Sequence, residues 1–518
     1  MMLLSFTQPA HEENMEEKYE KATRLYKEGV TLAGEGTAES MRAALPKFEQ
    51  ARQFYQEINS QQYEAYCLEW LSGINNSLGN KQKALDYYVQ ALPLQRAIND
   101  QSGQATTLHN IGKVYSDLGE KQQALEFYNE SLSLFRLIGY KPGEAVTLGN
   151  IATVYADLGE QHQALRYYNE ALLLYRAVDD KRSEANILYN IGFASSELGE
   201  NQQALTSLNE ALRLARAIGD KSVEVRTLNI IGGTYFALGD KQQALKFYNE
   251  ALSLYRGLEN KSGEAAALNY IGGVYAGLSD NQRALKFYDE ALSLYRAVDD
   301  KRGEARALNN IGKVYSDLGE KQTALKFYNE SLPISRAARD KHIEAQTLCN
   351  IGAFYSGLGE NQQALKYLNE ALPLARAIGD KGVEANTLNN IGKAYSDLGE
   401  QHQALKYFNE SLPLARAIGD KGVEARTLCN IGFASSGLGE NQQALKYLNE
   451  ALPLAREIGD KSFEAITLHI IGTTYSNLGE NEQALRYYNE ALPLYRAVDD
   501  KRGEELTRSK ISAWLALL

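Results

Sequence analysis

A forty-residue period constrains this 518-residue chain more than any other feature. Set in rows of forty, the sequence aligns without a gap from Gln61 to Asp500, which makes eleven full repeats. A twelfth begins at Lys501 and stops at Leu518 after the length of one helix. A chain with this period grows by stacking, because each unit buries its apolar face against its neighbours. Its length therefore does not count globular domains. Before the first full row, residues 15–60 read as a divergent capping helix pair, with Ala44, Leu45, Phe48 and Ala51 in the register of Ala84, Leu85, Tyr88 and Ala91. Residues 1–14 read as a flexible tail and 501–518 as a capping helix.

Each row carries the pattern of two helices. In the second repeat, Ala105, Leu108, Ile111, Gly112 and Tyr115 fall on one face of a helix A over 103–118. Leu118-Gly119-Glu120 ends it, glycine being the usual C-terminal stop. Helix B follows with a stripe of Ala124, Leu125, Tyr128, Ser131 and Leu132. It closes on a turn of the type Ile218-Gly219-Asp220-Lys221 or Val298-Asp299-Asp300-Lys301. Both connections are short, so the helices must lie antiparallel. Gly112 and Ala124 stand where backbones should approach, with Tyr115 and Tyr128 filling the space beside them. The expected architecture is all-α, a solenoid of antiparallel helix pairs.

These columns resemble the tetratricopeptide repeat, carried most clearly by Ile311-Gly312, Tyr315, Ala324, Tyr328 and Ser331 and covering about nine-tenths of the chain. The forty-residue form, with Asn-Ile-Gly and a Gly-Asp-Lys turn, is similar to the arrays of Pins and LGN scaffold proteins and of kinesin light chain. Near-identical consecutive rows also resemble cyanobacterial arrays associated with caspase-like CHAT proteases. The resemblance implies a right-handed superhelical solenoid with a concave face lined by the A helices, on which ligands are held. Two departures stand out. Arg136 and its equivalents replace the family's proline near the end of helix B. Proline instead stands mid-helix at Pro93, Pro333, Pro373, Pro413, Pro453 and Pro493, where it should bend the helix on its solvent side. Repeats 4 and 10 have Ser195 and Ser435 in place of the helix A tyrosine, and Phe193 and Phe433, two positions earlier, are expected to repack locally.

At about 100° per residue, the sixth, tenth, thirteenth and seventeenth positions of a row share the helix A face opposite the core stripe. The tenth is asparagine at Asn110, Asn150, Asn190, Asn310, Asn350, Asn390 and Asn430. Mid-helix asparagine gains nothing from capping. Its amide carries both donor and acceptor, so a ladder of them can bond the backbone of an extended peptide. The competing reading is that each amide bonds the adjacent repeat and orders the stack. Lys113 with Asp117, Lys313 with Asp317, and Lys393 with Asp397 form i,i+4 pairs on this face, and Arg226, Arg306 and Arg426 extend it at the sixth position. Repeats 5 and 6 interrupt the ladder with Ile230 and Tyr270, above the bare positions Gly233, Ala237, Gly273 and Gly277. That is an apolar floor suited to a large hydrophobic anchor.

Composition narrows the function. The net charge of -11 comes from 66 acids and 55 bases mixed along the chain, which argues against nucleic acid as partner. No apolar run approaches the roughly 20 residues that span a membrane. With three cysteines, Cys349 and Cys429 sharing a register two repeats apart, a reducing, cytoplasmic setting is expected. There is no phosphate-cradling glycine loop, and histidines that share a column are separated by whole repeats, so neither cofactor nor metal is expected. The sequence reads as a non-catalytic scaffold holding a protein or peptide in its groove. A peptide-sensing array that controls a partner, such as a caspase-like protease supplied in trans, is the alternative. A hydrolase using Cys349 or Cys429 is the remotest reading. Oligomeric state is open.

Overall fold

A computed structural model describes residues 9–515, so residues 1–8 of the expected tail and 516–518 of the expected cap lie outside the described residues. The chain divides after Ile230 into two compact units. Unit 1 holds α1 (Pro9–Gly34), α2 (Ala38–Glu57), α3 (Gln61–Ser77), α4 (Lys81–Ala97), α5 (Gln101–Leu118), α6 (Lys121–Leu137), α7 (Lys141–Asp157), α8 (Gln161–Ala177), α9 (Lys181–Glu197) and α10 (Asn201–Ile218). The point of division falls within α11 (Lys221–Ala237). Unit 2 continues with α12 (Lys241–Gly257), α13 (Lys261–Gly277), α14 (Asn281–Ala297), α15 (Lys301–Asp317), α16 (Lys321–Ala337), α17 (Lys341–Gly357) and α18 (Asn361–Ile378). It ends with α19 (Lys381–Asp397), α20 (Gln401–Ile418), α21 (Lys421–Gly437), α22 (Asn441–Ile458), α23 (Lys461–Asn477), α24 (Asn481–Ala497) and α25 (Lys501–Leu515). Each unit is an all-α stack of helix pairs, with odd-numbered helices as A and even-numbered as B. No described helix is long and apolar enough to cross a membrane.

Helix A begins earlier than hydrophobic periodicity alone suggests, because in most rows the last residue, an aspartate or asparagine, caps it; Tyr140 is an exception. Asp100 accepts from the Gly103 backbone N–H at 2.8 Å, and Asp300, Asp380 and Asp420 act alike on Gly303, Val383 and Val423. The residue before the cap adopts the left-handed region, as glycine at Gly219 (φ 72°) and as aspartate at Asp179 (φ 57°) and Asp299 (φ 55°). One turn geometry thus serves both the Ile-Gly-Asp-Lys and the Val-Asp-Asp-Lys sequences.

Within a pair, the small residue at row position twelve lets helix B's large residue lie flat on helix A. A Cβ on Gly312 would come within 2.7 Å of the Tyr328 ring, and one on Gly392 within 2.6 Å of Phe408. Tyr328 and Phe408 are fully buried there, beside Ala324 and Ala404. A second aromatic contact joins helix A to helix B nearer the surface. Tyr115 stacks on Phe127, Tyr275 on Phe287 and Tyr395 on Tyr407, at 5.4–5.5 Å between ring centres.

Successive repeats are joined by the arginine near the end of helix B, at Arg136 and its equivalents. Its Nε donates to the helix A glutamate eight residues on, at 2.7–2.9 Å. In unit 1 this joins Arg136 to Glu144, Arg176 to Glu184 and Arg216 to Glu224. In unit 2 it recurs seven times, from Arg256–Glu264 to Arg496–Glu504. In several repeats Nη2 reaches a second glutamate on the next helix B, as Arg176 does to Glu210 and Arg376 to Glu410. A proline at this position would lack the donors, and a planar guanidinium has the fork to bridge two carboxylates. The mid-helix prolines cause no break: α4, α16, α18, α20, α22 and α24 run continuously through them. All six prolines are exposed, on the side away from the core stripe.

Candidate functional site

In unit 2 the A helices α13, α15, α17, α19 and α21 each touch the next A helix, as far as α23, and among the described residues no comparable contact joins successive B helices. The stack is therefore tighter on its A side, and row positions six, ten, thirteen and seventeen lie along that side.

Two adjoining cavities open toward the start of that side. The first, of about 510 Å³, is floored by Tyr270, Gly273 and Gly277 and walled by Phe236, Arg306, Asn310, Lys313, Asp317 and His342. Tyr270 is 37% exposed and stacks on Tyr248 at 5.2 Å. A Cβ on Gly273 would meet nothing nearer than the Tyr288 hydroxyl at 3.6 Å, so the floor is open on the groove side. Gly233 has similar room, with the Tyr248 hydroxyl at 3.4 Å. The second cavity, of about 600 Å³, includes Asn350, Asn390, Ala353, Gly357, Cys349 and Arg426. It shares Lys313, Asp317 and Gln346 with the first, so the two form one continuous trough.

The asparagine ladder divides its hydrogen-bonding capacity. Asn310 Nδ2 donates to Asn269 Oδ1 of the preceding repeat at 3.2 Å, and Asn350 and Asn430 donate to Asn309 and Asn389 at 3.0 Å. Asn390 donates to Cys349 Sγ at 3.5 Å. Asn269, Asn309 and Asn389 are buried, so these bonds satisfy interior groups and lock adjacent repeats. A carboxamide has two N–H donors and a carbonyl acceptor. One N–H and the oxygen of each ladder residue thus remain beyond the inter-repeat bond, and Asn310, Asn350 and Asn390 line the trough.

The charges are arranged differently from the i,i+4 expectation. Among the described residues no ion pair joins Lys113 to Asp117, Lys313 to Asp317 or Lys393 to Asp397. In unit 1 Asp117 pairs with Lys81 at 2.7 Å instead, because the start of helix B in the preceding repeat lies closer. In unit 2 burial raises the Asp317 and Asp397 carboxyls above their ordinary range, and Lys313 and Lys393 offset this only in part. Arg306 and Lys313 have no ion-pair partner among the described residues. His342 Nδ1 lies 2.8 Å from Asp380, whose hydrogen bond raises the imidazole's pKa and favours its charged form. Arg426 reaches Gly422 O at 3.2 Å and Asn386 Oδ1 at 3.4 Å.

Unit 1 carries the remaining sequence-derived positions. Asn150 bonds His109 Nε2 at 3.2 Å, while His109 Nδ1 meets Thr147 Oγ1 at 2.9 Å. Burial, and then Lys113, push the His109 pKa down to about 4, so the ring is neutral. Arg226 lies over the Tyr189 ring at 4.2 Å, within this unit. Asn110, Asn190 and Ile230 are half-buried, and Lys113 is exposed.

Phe193 and Phe433 do not repack as expected. Ser195 and Ser435 are buried at the missing tyrosine's position, whereas Phe193 is 40% and Phe433 49% exposed at position thirteen. Helical geometry explains this, since two residues earlier is about 200° around the helix and faces away from the core. His342, Tyr248 and Phe433 thus join the candidate surface without having been singled out for it. Cys349 and Cys429 are buried, and burial raises both thiols, Cys429 to about 11. Each stays protonated at neutral pH, which is the reverse of nucleophile activation. Among the described residues no cluster of three or more His, Cys, Asp or Glu could hold a metal ion.

A profile of the family described as tetratricopeptide repeat matches residues 63–137, 103–177, 183–257, 263–337, 343–417 and 423–497. No match was found among curated proteins. Among solved structures, the chain is similar to the apo form of RapI, with 16% identity over 54% of this chain and 99% of that one (TM-score 0.45). It is similar to the apo form of the quorum sensor NprR from B. thuringiensis, with 19% identity over 74% and 99% of the respective chains (TM-score 0.44). It also resembles PH0952 from Pyrococcus horikoshii, a signal-transduction ATPase with a tetratricopeptide repeat sensor, with 14% identity over 69% of this chain and 55% of that one (TM-score 0.47).

Proposed function

The chain belongs to the tetratricopeptide-repeat family, and on that footing we propose that it is a protein-binding scaffold whose unit 2 holds an extended partner segment along the A-helix side. One observation carries the reading: the cavity floored by Tyr270, Gly273 and Gly277 opens into a trough lined by Asn310, Asn350 and Asn390. A large apolar side chain of the segment occupies the floor, and the free amide groups bond its backbone. Burying such a side chain contributes about 1.5–3 kcal/mol, enough to dominate the affinity of a short peptide.

Gly273→Trp tests the reading. The new side chain enters the cavity from the groove side, where the nearest atom to its Cβ is a hydroxyl at 3.6 Å, so the fold should persist. Peptides selected from a random displayed library on the native protein should lose at least tenfold in affinity for the variant. Equal binding to both proteins would overturn the proposal.

A further inference from the structure

Within unit 2, row position ten runs Tyr270, Asn310, Asn350, Asn390, Asn430, Ile470. The amide ladder is thus bracketed by one large apolar residue at each end. The far bracket has its own cavity, of about 260 Å³, lined by Phe433, His469, Ile470, Thr473, Asn477 and Lys510 among others. Phe433 is 49% exposed there, and Ile470 is half-buried. Exposure of a phenylalanine in a repeat whose core position is filled by the buried Ser435 means that its ring is not spent on packing the pair.

From this bracketing we infer that the groove recognises a segment with two apolar anchors, one seated on Tyr270 and Gly273 and the other on Phe433 and Ile470. This rests on the scaffold reading above and adds the spacing and chemistry of the ligand. The two cavities are four A-helix steps apart, from α13 to α21 and from α15 to α23. Touching helices lie about 8–10 Å apart, so the span is about 32–40 Å. An extended chain covers about 3.3 Å per residue, which sets the anchors about 10–12 residues apart. The four asparagines between them meet backbone with the amide groups left over from their bonds to the preceding repeat. Charge favours an acidic segment. Arg306 and Lys313 at the first cavity and Lys510 at the second have no ion-pair partner among the described residues, and Asp317 is the only acid lining either cavity.

A library of random 24-residue peptides provides the probe. Selection on the full chain should return acidic sequences with two large apolar residues about 10–12 apart. Replacing either anchor by serine, or shifting one by five residues, should lower affinity at least tenfold. Phe433→Ala removes an exposed side chain and should abolish discrimination at the second anchor alone, while Gly273→Trp abolishes it at the first. Binders with one anchor, sensitive to Gly273→Trp but not to Phe433→Ala, would overturn the two-anchor inference and leave the scaffold reading standing. Binders indifferent to both variants would overturn both.

Discussion

Gly272 and Gly273 are consecutive residues of α13, yet the same substitution should act on them with opposite sign. A Cβ on Gly272 would lie 2.8 Å from both Cδ1 and Cε1 of Tyr288, a ring only 4% exposed. Overpacking of that kind costs about 1–3 kcal/mol, while alanine's helix propensity returns about 1 kcal/mol. Repeat 3 carries Ala152 at this position, buried near Tyr168, so the middle of the range, about 2 kcal/mol, applies rather than its top. Gly272→Ala should therefore destabilise by about 1 kcal/mol. At Gly273 the added methyl meets only a hydroxyl at 3.6 Å, so the propensity gain stands alone and stabilises by about 1 kcal/mol. The difference of about 2 kcal/mol is roughly a thirtyfold change in a local opening constant. Native-state hydrogen exchange at the amides of α13 and α14 reads that constant directly, which suits a repeat array better than a global melt. Equal protection in the two variants would refute the assignment of one glycine to the core and its neighbour to the groove.

Arg256→Ala leaves the buried Glu264 with Lys261 as its remaining partner and should cost about 1 kcal/mol, less than a fully buried pair because the arginine is half exposed. The hydrogen bond from Arg256, with that from Lys261, holds the Glu264 carboxyl below its ordinary range. Its stabilisation is therefore present above the unfolded carboxyl pKa and lost as pH falls through the lower folded value. Urea titrations should accordingly show a shallower acid-side loss of stability in the variant than in the native chain. Asn350→Ala removes the donor to the buried Asn309 Oδ1 and should cost about 1–3 kcal/mol in local exchange while also weakening selected peptides; an effect on peptides alone would contradict the inter-repeat bond. Iodoacetamide at pH 8 should leave Cys429 unmodified in the folded chain and label it on unfolding, and rapid native labelling would refute its burial.

Much of the fold is legible in the sequence because the repeat multiplies each weak signal eleven times. Gly312 opposite Tyr328 is one such column, and it predicts close helix contact wherever it recurs. The arginine column was visible only as a departure. Its purpose depends on Glu144 and Glu170 lying 8 and 34 residues away, and only stacking brings those three side chains together. The same holds for the asparagine ladder. Periodicity places Asn350 on the groove face, but the bond to Asn309 depends on how far α17 is offset along α15. The structural and ligand-binding readings, posed as rivals in the sequence, draw on different atoms of one amide. The missing tyrosine at Ser435 points to a core role for Phe433, but position thirteen puts its ring on the opposite face, where it is exposed. Ile470 stood in the tenth column throughout, and only its cavity gave it meaning.

The central claim is that a partner lies on the A-helix side of unit 2. Photo-crosslinking tests it most directly, with a benzophenone in place of the apolar anchor of a selected peptide and the adducts mapped by mass spectrometry. The account predicts adducts on α13 and α15, at Tyr270, Gly273 and their neighbours, that disappear in Gly273→Trp. Adducts on the exposed faces of the B helices, around Pro333 or Pro373, would contradict it.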